Sequence, residues 1–170
     1  IRLVGATIGG TATNTDRING GEGNNTLVVT GNTTIAAAGT AAAPVANVTN
    51  IQALEVRAGH DLATGADTVN VNADAFDKLA TIYVRNGVGG GIANNGIQDG
   101  AEAGFGAWTS VGEGMTVNLT NLTSAQANAI TLAHGTTGNS TIANNVLNIG
   151  LKVATGAADT AQVTIVDGAN

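Results

Sequence analysis

The stretch Gly20-Gly21-Glu22-Gly23-Asn24-Asn25-Thr26-Leu27-Val28-Val29-Thr30-Gly31 joins a glycine-rich turn directly to a β-branched strand. Its first nine residues fit G-G-x-G-x-D-x-U-x. In that pattern glycines let backbone carbonyls point inward at a cation, an Asp carboxylate completes the shell, and an apolar residue then turns into the core. Asn25 stands where the pattern has Asp. An amide oxygen can ligate calcium but brings no charge, so this copy alone reads as a weak or incomplete site, or equally as a Gly-Gly turn leading into an ordinary strand. Where the nonapeptide repeats, ions sit between stacked turns and one copy supplies part of a cage. Asp16 lies nine residues before Asn25, the nonapeptide spacing. Stacked turns would set the two one above the other and let Asp16 supply the missing carboxylate; a solvated loop Asp is the alternative.

Working outward from this turn, the chain reads as short strands divided by Gly, Asn and Asp. Strands are expected over Ile1–Val4, Thr26–Thr30, Thr33–Ala36, Val48–Arg57, Ala66–Val71, Ala80–Arg85, Met115–Thr120, Ile130–Ala133, Thr141–Ile142, Val146–Val153 and Ala161–Val166. Within Val48–Arg57, Leu54 and Val56 alternate with Glu55 and Arg57, which predicts a half-buried strand with one wet face. Two short helices are expected. Asn72 can cap about two turns in which Phe76 and Leu79 share a face, and Thr123-Ser124-Ala125-Gln126 matches a capping box for a helix ending near Ala129. Residues 86–114 hold ten glycines, the carboxylates Asp99, Glu102 and Glu113, and the aromatics Phe105 and Trp108. An irregular stretch of this length is usually functional or mobile.

One phrase recurs. Ala63-Thr64-Gly65-Ala66-Asp67-Thr68-Val69-Asn70-Val71 returns as Ala154-Thr155-Gly156-Ala157-Ala158-Asp159-Thr160-Ala161-Gln162-Val163, and Asn25-Thr26-Leu27-Val28-Val29 gives a third copy. The unequal separations describe an irregular array of turn-then-strand units. Each copy sets a carboxylate or amide at the start of a strand, where its oxygen can cap backbone N–H groups or ligate an ion.

Composition supports the same class. The chain is 43% hydrophobic but only 2% aromatic and 11% charged, with Ala, Val, Ile and Leu as the apolar mass and Thr and Asn as the polarity, which suits strands and side-chain ladders. At 170 residues it can bury about two-thirds of its unfolded surface, so a single β-rich domain over 1–170 is expected. The absence of cysteine excludes disulfides and thiolate metal sites. A net charge of −6 with six scattered basic residues argues against a nucleic-acid surface, and no run approaches the ~18 apolar residues of a membrane helix. The sequence opens on Ile1 rather than Met, which reads as a piece of a longer surface protein.

The turn Gly20–Val28, the strand Asn50–Val56, the segment Val117–Asn128 and the phrase Ala154–Thr160 together resemble bacterial surface-layer proteins and large surface adhesins. The resemblance implies an all-β module, solenoid-like or sandwich-like, of a cell-surface lattice, exported by type I secretion and cross-linked by Ca²⁺ outside the cell. The expected calcium ligands are Asp16 and Asn25 from the nonapeptide, Asp67 and Asp159 from the recurring phrase, and Asp99, and the expected partners are neighbouring subunits. The chain departs from that pattern at Asn25 and in lacking tandem nonapeptides. Other classes remain open. An adhesin module would bind a glycan or cell-surface polysaccharide through Trp108 and Phe105. A polysaccharide-cleaving β-helix enzyme could use a carboxylate pair such as Asp99 and Glu102. No nucleophile elbow is present, His60 and His134 lack H-x-x-x-H spacing, and Gly87-Val88-Gly89-Gly90-Gly91 lacks the dinucleotide spacing, so a non-enzymatic role is the expectation.

Overall fold

A computed structural model describes residues 1–9, 16–30, 32–40, 43–57, 67–86, 115–134, 146–152 and 160–167. The chain coils into stacked rungs of short strands. The first rung holds β1 (Arg2–Val4), β2 (Thr7–Ile8) and β3 (Ile18–Asn19). The second holds β4 (Thr26–Thr30), β5 (Thr33–Ile35), a hairpin of β6 (Ala38–Thr40) and β7 (Ala43–Val45), and β8 (Val48–Thr49). The third has β9 (Ala53–Arg57) and β10 (Asp67–Asn72), the fourth β11 (Thr81–Asn86) and β12 (Met115–Leu122). Helix α1 (Ser124–Ala127) leads into β13 (Ile130–His134) and β14 (Val146–Leu151), and β15 (Val163–Asp167) lies above β13.

Two parallel sheets result. One has the order β1-β4-β9-β11-β13-β15 and the other β14-β12-β10-β5-β2. A short third face is made by β3 against β8, continued by a bridge from Val48 to Phe76. Of the expected alternatives, solenoid and sandwich, the parallel rung-on-rung pairing is solenoidal: each strand pairs with its counterpart one coil away. Among the described residues only the β6–β7 hairpin pairs antiparallel.

Register explains the core. Leu27, Leu54, Ile82, Ile130 and Val163 stand in one row of the larger sheet, and Leu3, Val29, Val56, Val84, Leu132 and Ile165 in the next inward row. The smaller sheet contributes Ile8, Ile35, Val71, Leu119 and Ile149. Because inward positions recur every second residue, each rung adds aliphatic side chains to rows already built. Every fully buried one stabilises the fold by roughly 1.5–3 kcal/mol. Ala, Val, Leu and Ile suffice because a stacked row needs matching width, not aromatic bulk.

The structure corrects three local expectations. Val48–Arg57 is not one strand: Asn50 has φ 56°, which turns the chain through a corner between β8 and β9. Glu55 lies in the outer row between Val28 and Tyr83, yet it is 0% exposed, so the wet face expected there is covered at this position. The helix after Asn72 is one 3₁₀ turn, Ala73–Ala75, with the Asn72 side chain accepting from the Asp74 N–H. It stops because Phe76 returns to extended backbone to reach Val48 on the third face. Thr141–Ile142 lies outside the described residues.

Candidate metal-binding turn

Three glycines shape the turn before β4. Gly21 and Gly23 have φ of 78° and 89°, the left-handed region where side-chain-bearing residues are strained. Gly20 is excluded from bearing a side chain for another reason: a Cβ there would sit 2.2 Å from the Asn50 carbonyl oxygen of the rung above. The resulting backbone directs the Gly21, Glu22 and Gly23 carbonyl oxygens at one atom, the Asn25 side-chain nitrogen, each at 3.3 Å. The Asn50 carbonyl joins them at 3.0 Å. Since carbonyl oxygens only accept, the nitrogen and not the oxygen of the amide faces them.

A second tier of amides holds this arrangement across the rungs. Asn19 Oδ1 accepts from the Gly21 N–H and from Asn50 Nδ2, both at 2.9 Å. Asn50 in turn donates its backbone N–H to Asp77 Oδ1 at 2.8 Å and accepts from Lys78 Nζ at 2.7 Å. Gln52 Oε1 accepts from the Asn25 N–H at 2.7 Å. Asn19, Asn50 and Gln52 were not among the residues expected here. Their signal was the spacing Asn25 to Asn50 and Gln52, close to one coil, but without the coil length it could not be read.

The other expected ligands fall elsewhere. Asp16 is exposed and precedes β3, on the third face. Its proposed stacking on Asn25 does not occur, because one coil of the larger sheet takes 27 residues from Leu27 to Leu54 and 28 from Leu54 to Ile82. Nine residues therefore carry the chain about a third of the way round. Asp67 opens β10, with its backbone in register with Met115. Thus the recurring phrase serves two different sheets: the copy at Asn25 feeds β4 of the larger one and the copy at Asp67 feeds β10 of the smaller one. Asp99 and Asp159, like Phe105 and Trp108, lie outside the described residues. Among the described residues no three His, Asp or Glu side chains cluster as a metal group.

A second polar feature runs along the outer face of the smaller sheet. Thr34, Asn70, Asn118 and Asn148 are in register. Asn148 Nδ2 donates to Asn118 Oδ1 at 2.7 Å, Asn118 Nδ2 to Asn70 Oδ1 at 2.8 Å, and Asn70 Nδ2 to Thr34 Oγ1 at 3.4 Å. Beside it Asn121 Nδ2 donates to Asn72 Oδ1 at 3.0 Å. Asn70 and Asn118 each donate to one neighbour and accept from the other, so the row is directional as well as uncharged. The ion pair of Lys152 with Asp74 links the last described coils to the 3₁₀ turn. No helix among the described residues is long and apolar enough to cross a membrane. No protein-family model, curated protein or solved structure matches the chain.

Proposed function

We propose that this chain is a structural module of a bacterial surface layer, a non-enzymatic building block that associates with further copies of itself at the cell surface. The observation that carries the reading is the apolar surface left exposed on the edge strands among the described residues. In the inward row Val29, Val56 and Val84 are buried, but at its end Ile165 is 72% exposed, and at the opposite end of the molecule Ile1 is 53% exposed. Among the described residues β1 and β15 each pair on one side only. Parallel edge strands with apolar residues left over are ready to accept another strand of the same direction. A second copy placed head to tail would continue the row from Ile165 to Leu3. Such a contact is heterologous, and heterologous contacts that do not close generate extended assemblies.

Calcium enters this reading as a link between copies and as a stabiliser of the folded form. A net charge of −6 makes copies repel one another, and divalent cations at carboxylates such as Asp16, Asp67, Asp99 and Asp159 would offset that repulsion. Ions that bind only the folded chain stabilise it by about 2.7 kcal/mol at a hundredfold excess over Kd. The test is a thermal melt with parallel light scattering and negative-stain microscopy, in calcium and then in chelator. Calcium should raise the melting temperature and produce sheets or filaments. A domain that stays monomeric and equally stable in both would overturn the reading and bring forward the binding of a cell-surface polysaccharide, for which the uncharged Asn and Thr row is a suitable hydrogen-bonding face.

A further inference from the structure

We infer that the turn Gly20–Asn25 holds an amide where its backbone is shaped to hold a cation, and that it closes without calcium. Four carbonyl oxygens, from Gly21, Glu22, Gly23 and Asn50, converge on Asn25 Nδ2 at 3.0–3.3 Å. An amide nitrogen carries two hydrogens, so four acceptors exceed what it can serve. Three of the four contacts are correspondingly longer than the ~2.9–3.0 Å usual for N–H···O. Oxygens that outnumber hydrogens around one point are the arrangement expected of a cation cage, and calcium takes roughly six to eight of them.

The donor set does not fit the ion itself. All four converging oxygens are neutral, and the carboxylate of Asp77, one rung away, already accepts from the Asn50 N–H. The partial positive charge of the amide hydrogens instead holds together carbonyls that would otherwise repel. This also explains why the cage spans two rungs: Asn50, at φ 56°, sends its carbonyl back to the turn below. In effect Asn25 locks the second coil to the third.

Replacing this nitrogen by oxygen should expose the hidden preference. In Asn25→Asp the carboxylate and four carbonyls face one another with no hydrogen between them, and a divalent cation is the group that relieves it. Calcium should do so better than magnesium, which demands near-ideal octahedral geometry and dehydrates reluctantly. The experiment compares wild type, Asn25→Asp and Asn25→Ala by calorimetric calcium titration and by thermal melting in chelator, calcium and magnesium. We expect Asn25→Asp to bind one more calcium ion per chain than wild type, to melt several degrees lower than wild type in chelator, and to regain that loss in calcium only. Asn25→Ala, with neither plug nor carboxylate, should melt lower in all three buffers. Equal calcium stoichiometry in wild type and Asn25→Asp, or an Asn25→Asp chain that does not fold even in calcium, overturns the inference. So does an Asn25→Ala variant as stable as wild type. Because every readout is a difference between variant and wild type in one buffer, the inference can stand or fall independently of whether the module assembles.

Discussion

At the scale of single residues, two adjacent glycines serve different physical ends, and mutation should separate them. A Cβ on Gly20 would meet the Asn50 oxygen at 2.2 Å and the Ile51 side chain at 2.9 Å, so Gly20→Ala must push two rungs apart. Overpacking of that kind costs about 1–3 kcal/mol. A Cβ on Gly21 meets nothing within 4 Å, and Gly21→Ala pays only for its left-handed backbone, about 1 kcal/mol. Urea unfolding should therefore rank Gly20→Ala below Gly21→Ala; the reverse order would mean that the rungs do not approach as closely as described. The turn's glycines and the anomaly at Asn25 were legible in the sequence, since both are matters of residue type at short spacing. The direction of the Asn25 amide was not, because Asn50 sits 25 residues away and its carbonyl reaches the turn only once the coil has closed. The buried Asn47 teaches the same lesson from the other side: it heads a glycosylation sequon yet is 2% exposed, so folding hides what the motif advertises.

Among elements, the outer row Asn70–Asn118–Asn148 turns strand pairing into a side-chain chain as well as a backbone one. Its middle member can be tested by the kind of group it offers. Asn118→Ala removes two side-chain bonds at a half-buried position, a loss of about 1 kcal/mol. Asn118→Asp keeps the shape but cannot donate to Asn70 Oδ1, setting acceptor against acceptor, and should cost more than the alanine variant at neutral pH. Equal stability of the two variants would show that the row is held by the backbone ladders alone. Strand positions and the capping box of α1 were legible: Thr123 accepts from the Gln126 N–H while Gln126 Oε1 accepts from the Thr123 N–H, as the four-residue pattern predicts. What the pattern could not give was the tie from Gln126 Nε2 to the Leu79 carbonyl at 2.8 Å, which fixes the helix to the preceding rung. Corners also escaped it, because Asn50 adopts positive φ inside a run whose alternation reads as continuous strand.

For the whole molecule, the decisive quantity is the length of one coil, and that was hidden by variation. Along the larger sheet the partner of Arg2 is 26 residues on, that of Ile82 is 48 on and that of Ile130 is 33 on, so no fixed period shows as self-similarity. Composition therefore led to all-β but left solenoid and sandwich open. The exposed Ile165 on β15 offers its own test. Ile165→Lys places a charge on a largely exposed site, so the isolated chain should keep its melting temperature while light scattering in calcium falls to that of a monomer. Unchanged assembly would move the contact away from this end. The same irregular coil lengths have a wider consequence. Residues 87–114 separate β11 from β12 in sequence, yet Ile82 meets Ile130 and Val69 meets Val117 in unbroken register. The connection between β11 and β12 is thus a free port in a fixed frame, whereas the Gly20–Asn25 corner, tied to Asn50, is not. Length and chemistry can therefore vary between β11 and β12, because the strands on either side find their partners without that segment, while the rows that stack stay the same.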